Sequence, residues 1–128
     1  MAKGLSPTQR TLRLLREQGR LAEITEKWVM NPKHPGGGFR KDLFGFIDII
    51  CLDPERGIVA IQSCGSGFKA HERKIKDSDC TEFVIEWLKC DGKLELYGWR
   101  KVKLKRGGKA KVWKPRIQEI TLKDIGGK

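Results

Sequence analysis

Acidic residues nearly vanish from one stretch of this chain: between Lys93 and Arg116 a single carboxylate, Glu95, stands among ten lysines and arginines. That imbalance exceeds what edge protection of a solvated hairpin needs, and it holds most of the formal charge of +11. A polyanion is the natural partner for such a surface, and nucleic acid is the commonest one. The four cysteines, Cys51, Cys64, Cys80 and Cys90, include no Cys-x-x-Cys pair, which argues against a structural zinc. Free, buried or half-buried thiols are expected instead. The only histidines, His34 and His71, stand apart and read as surface or loop residues rather than ligands. No segment has the length and apolarity of a membrane span, and MAKGLSPTQR lacks the apolar centre of a signal peptide, so the expectation is an intracellular, cytoplasmic protein with no membrane partner. No helix-turn-helix, zinc-finger or RNP-type signature is present, which directs contacts to phosphates and nucleic-acid shape rather than base edges.

The 128 residues fit one domain, with 1–5 and 123–128 expected as flexible tails. Ser6, Pro7 and Gln9 form a helix start: a side-chain cap, a proline in the first turn and a capping-box partner. The helix should run from Pro7 to Gln18, bury Leu12 and Leu15, and end at Gly19. Leu21 to Val29 reads as an outer strand, and Asn31 to Gly38, rich in proline and glycine, as a mobile loop. LFGFIDIICL and GIVAIQSC, separated by a turn containing Pro54, read as a hairpin whose first strand is central and covered on both faces. FKAHERKI turns helical, and a second helical stretch, capped by Asp79 with Glu82, presents Phe83, Val84, Trp87 and Leu88 before stopping at Cys90-Asp91-Gly92. KLELYGWRKVKLK and KVWKPRIQEITL, joined at Gly107-Gly108, form the last two strands. The order is αβββαββ in an α/β fold.

Asp48 is the anomaly. It lies inside an apolar strand, where an unpaired carboxylate costs several kcal/mol to bury. With period two, Ala60 and Gln62 share a face that a partner strand brings beside Asp48. One reading is that Asp48 pairs with an arginine such as Arg40, with Gln62 as a core amide. The other is that Asp48 holds Mg²⁺ or Mn²⁺, which favours carboxylate, carbonyl and water oxygens and would support phosphodiester hydrolysis.

The element order, the central hairpin and the segments RKDLFGFIDI, AIQ and YGWRKV resemble the PD-(D/E)XK nucleases of the restriction-endonuclease-like fold, in particular archaeal Holliday junction resolvases and small phage resolvase-like proteins. The resemblance spans Pro7 to Leu122 and implies a central mixed sheet flanked by helices, a metal-dependent endonuclease acting on branched or structured DNA, and a homodimer. It maps Asp48 to the first acid of the motif and Gln62 to its lysine position. Ala60 stands where the second acid is expected, and Thr8 where the first-helix glutamate is expected. By reach along the chain, Glu26 and Asp42 are the candidate replacements, with Asp42 joining Asp48 as a metal ligand. Lys69, Arg73 and Lys74 are candidates for the missing positive charge. DNA contacts are expected from Arg40, Lys41, Lys69, Arg73, Lys74, Arg100, Lys101, Lys103, Lys105 and Arg106, with Trp99 and Trp113 either stacking on bases or packing against the hairpin. The alternative is a DNA- or RNA-binding accessory protein on the same fold that has lost hydrolysis, for which Ala60 is the evidence.

Overall fold

A computed structural model describes residues 4–125. The chain is an α/β protein with three α-helices and a five-stranded mixed sheet, beside which lies a separate two-stranded sheet. Helix α1 spans Pro7–Glu17, and its start is the expected one: the Ser6 hydroxyl accepts from the Gln9 N–H and the Gln9 side chain accepts from the Ser6 N–H. Gly19, at φ 76°, closes it in the left-handed region that a glycine enters without strain.

The expected outer strand is two strands. β1 (Leu21–Ile24) joins the main sheet, whereas β2 (Lys27–Met30) pairs with β3 (Gly38–Lys41) in the small sheet. The break comes at Thr25, whose N–H donates to the Asp48 carbonyl and whose hydroxyl donates to the Ile47 carbonyl. The Pro/Gly-rich segment is correspondingly not all loop: Pro35–Gly37 is a 3₁₀ turn and Gly38 opens β3. Only glycine fits at Gly38, since a Cβ there would lie 2.5 Å from the Val29 carbonyl oxygen and 2.7 Å from the Trp28 ring.

The apolar run before Pro54 also divides. Leu43 to Ile47 is a tight turn, with Phe44 and Gly45 at positive φ, that buries Phe46. The strand itself, β4, begins at Ile49 and ends at Asp53. β4 pairs antiparallel with β5 (Gly57–Cys64), the buried centre of the sheet. The chain then crosses through α2 (Phe68–Lys76) and α3 (Thr81–Lys89) to β6 (Lys93–Lys103), parallel to β5, and returns antiparallel as β7 (Lys111–Glu119). The sheet order is β1-β4-β5-β6-β7. Asp79 does not cap α3: Cys80 is its N-cap residue without a side-chain bond, and Thr81 Oγ1 instead links the Ser78 N–H to the Ile75 carbonyl.

Helix α1 covers one face of the sheet, burying Leu15 against Ala22, Ile49, Cys51, Val59, Ile61 and Tyr97. Helices α2 and α3 cover the other, where Phe46, Ala60, Phe68, Ile75, Val84, Leu94 and Leu96 pack together. Covering both faces explains the continuous apolar runs of β4 and β5. Leu122–Asp124 is a 3₁₀ turn that seats Ile125 in this second core, while the rest of the expected tails, residues 1–3 and 126–128, lies outside the described residues. Cys51, Cys64 and Cys80 are buried free thiols; Cys90, just past α3, is exposed, contrary to expectation. Among the described residues no helix is long and apolar enough to cross a membrane.

Candidate metal centre

Asp48 sits immediately before β4 rather than within it, in line with Gln62 across the β4–β5 pair, because Ile49 opposes Ile61. Three backbone bonds hold it: its N–H donates to the Ile61 carbonyl at 2.9 Å, its carbonyl accepts from Thr25 at 2.8 Å, and its Oδ2 accepts from the Ser63 N–H at 2.8 Å. The side chain is only 6% exposed.

Two further acids converge on it. The bend at Thr25 that separates β1 from β2 delivers Glu26, and the end of β3 delivers Asp42. Carboxylate oxygens of Glu26, Asp42 and Asp48 lie within 4.8 Å of one another. Asp48 stood out in the sequence through its apolar neighbours, Glu26 and Asp42 by reach alone, and the fold brings the three together. Burial, followed by hydrogen bonding to the Asp42 carboxyl and the charges of Asp42 and Glu26, pushes Asp48 up to about 8 against the opposing pull of the Ser63 N–H.

The arginine reading of Asp48 is not what the structure shows. Arg40 pairs with Glu26 at 3.3 Å, and among the described residues no lysine or arginine forms an ion pair with Asp48 or Asp42. The contrast with Glu95 is instructive. It is the other buried carboxylate, and Arg56 reaches it at 3.0 Å. One buried acid is thus compensated by a guanidinium, and the other faces two more acids.

Gln62 is 1% exposed, and among the described residues no donor reaches its Oε1. A buried orphan acceptor in line with a carboxylate cluster fits a site built for an oxygen-ligated cation and its water. The donor set, carboxylate oxygens with an amide oxygen nearby, suits Mg²⁺ or Mn²⁺. Ala60 is fully buried in the apolar cluster of Phe46 and Leu94, so the position where the resemblance expects a second acid contributes none.

The structure adds residues that sequence reasoning missed. Ser63 acts through its backbone N–H, which every residue type but proline supplies, so no sequence signal marks it. Its hydroxyl meets Thr11 Oγ1 at 2.8 Å; that oxygen also accepts from Trp99 Nε1 at 2.8 Å, while the Thr11 hydroxyl donates to the Pro7 carbonyl. His71 lies on a helix rather than in a loop. It is half-buried on α2 with Nδ1 unpartnered, and burial first, then Lys74, lower its basicity against the opposing charge of Asp42.

The expected DNA-contacting residues fall on three elements. Arg40 and Lys41 lie on β3, and Arg40 reaches the carboxylates through Glu26. Lys69, Arg73 and Lys74 lie on α2, but none of the three forms an ion pair with the acids. The others belong to β6 and the turn after it. β5 pairs with β6 only as far as Cys64 opposite Gly98, whereas β6 and β7 stay paired to Lys103 opposite Lys111. Residues 99–103 and 111–115 therefore form a two-stranded arm beyond the end of β5, at the end of the sheet where Asp48 enters β4. Arg100, Lys101, Lys103, Lys105 and Arg106 are exposed on this arm and its turn. Compared with protein-family models, with curated proteins and with solved structures, the chain matches none of them.

Proposed function

We propose that this protein is a Mg²⁺- or Mn²⁺-dependent endonuclease that hydrolyses phosphodiesters in branched or otherwise structured DNA. The observation that carries the reading is the meeting of Glu26, Asp42 and Asp48 in a half-buried cluster whose deepest member, among the described residues, has no cationic partner. A restriction-endonuclease-like fold is part of the proposal, supported by the antiparallel β4–β5 pair that carries Asp48 and Gln62 and by the helical crossover from β5 to a parallel β6. A two-fold dimer, which would present two such sites to symmetric strands, belongs to it as well.

Asp48, Asp42 and Glu26 would hold the ion, and Gln62 Oε1 would accept a hydrogen bond from a water or orient it toward the phosphate. When bound, the ion supplies charge for the phosphate oxygens and a more acidic water. Asp48, protonated at neutral pH by its surroundings, must give up that proton to act as a ligand. Arg40, 72% exposed yet tied to Glu26, is placed to meet a phosphate as it arrives. The arm and α2 supply sequence-independent attraction to the backbone, so binding should weaken steeply with added salt.

The second reading, a binding protein without hydrolysis, is favoured by one observation: buried Ala60 leaves its strand position without a carboxylate. A labelled four-way junction and a linear duplex, each incubated with Mn²⁺ or with chelator, separate the two. Metal-dependent cutting that disappears in Asp48→Ala supports the enzyme. Salt-sensitive binding with no cutting under any metal supports the binding protein.

A further inference from the structure

Both tryptophans of the basic region face the α1 side of the sheet, yet they have different surroundings. Trp99 is buried and its Nε1–H is used on Thr11. Trp113, opposite Lys101 on the arm, is 41% exposed and belongs to neither core cluster. The Arg10 guanidinium of α1 lies 4.1 Å from its ring centre and Lys101 Nζ lies 5.3 Å from it. Between α1 and the arm runs a cleft of about 250 Å³ lined by Arg10, Leu14, Trp99, Trp113 and the ion pair of Arg13 with Glu17, so Arg10 is the cation of α1 left to a ligand there. A partly exposed indole thus lies between two cations on an arm whose residues 99–116 carry nine lysines and arginines and no acid.

We infer that this cleft is a binding site for an unpaired DNA strand, with a nucleobase stacked on Trp113 and the adjoining phosphates met by Arg10 and Lys101. A duplex offers phosphates and groove edges to a protein, because its base faces are covered by their neighbours. An indole can therefore recognise only a base that has left the stack, and it does so with little regard to sequence. The Arg10 guanidinium lies on the ring face, so a stacking base displaces it from the indole and leaves it free to meet a phosphate beside Lys101. The cleft is also coupled to the carboxylates: Arg10 precedes Thr11, which bonds Ser63, which in turn holds Asp48.

The site rests on the reading that DNA occupies this surface, but not on hydrolysis. Its test is the ratio of affinities for a duplex with a single-stranded tail and for the same duplex with blunt ends, measured in chelator so that neither is cut. The wild-type protein should prefer the tailed DNA by about tenfold or more. In Trp113→Ala that ratio should fall to about one, and Trp113→Phe, which keeps an aromatic face, should retain most of it. Equal affinity for the two DNAs in the wild type, or a preference unchanged in Trp113→Ala, overturns the stacking site while leaving phosphate binding in place. Failure to bind either DNA at low salt overturns this site together with the nucleic-acid reading. A preference lost in Trp113→Ala supports the cleft whether or not the protein cuts the four-way junction with Mn²⁺, because this site does not require hydrolysis.

Discussion

The Ser63 N–H donates to Asp48 Oδ2 at 2.8 Å and is the one hydrogen bond from β5 to that carboxyl. It ties the acid to the sheet end, where carboxylate oxygens of Asp42 and Glu26 lie within 4.8 Å. Ser63 also turns its hydroxyl to Thr11, and through it α1, β5 and β6 are joined at the point where the acids meet.

The protonation of Asp48 should make the metal-free protein less stable at high pH. The group sits at about 8 in the fold against 3.8 unfolded, so between these values the native state holds the extra proton. Stability from this group is therefore fully present below about 4, falls as pH rises and is lost above about 8, a contribution on the order of 3–6 kcal/mol. Urea unfolding of wild type and Asp48→Asn across that range checks the sign: the difference should move in favour of the asparagine variant as pH rises.

Thr11→Val keeps shape but removes the oxygen that Trp99 Nε1–H and the Ser63 hydroxyl both use. Leaving these buried groups unpaired should cost about 1–3 kcal/mol. Denaturant unfolding reads the loss, and a smaller effect from Thr11→Ser would assign it to the hydroxyl.

Gly98→Ala should destabilise the protein by about 1–3 kcal/mol, because the added Cβ would lie 2.4 Å from the Phe68 ring. The ring is held in the core, with Arg116, opposite Gly98 on β7, stacked over it at 4.1 Å. A thermal melt of the variant tests this, and an unchanged midpoint would contradict the packing described.

What sequence reasoning could see follows from the range of the forces involved. The start of α1 was legible because Ser6, Pro7 and Gln9 act within one turn. The turn that buries Phe46 was not, because an apolar run reads alike as a buried strand or as a buried turn, and Gly45 was the only local mark of it. The division of β1 from β2 depends on Thr25 bonding residues more than twenty positions away. At the candidate site, Asp48 stood out through its apolar neighbours, whereas Glu26 and Asp42 are ordinary acids until the small sheet folds them inward. Ser63 left no trace, since a backbone N–H has no residue type.

Manganese binding at pH 7, followed by electron paramagnetic resonance with proton release recorded in parallel, tests the central claim most directly. The account predicts saturable binding by the wild-type protein, release of protons as Asp48 ionises, and loss of the site in both Asp48→Ala and Asp42→Ala. Wild-type protein that takes up no manganese, or variants that bind it as the wild type does, would contradict it.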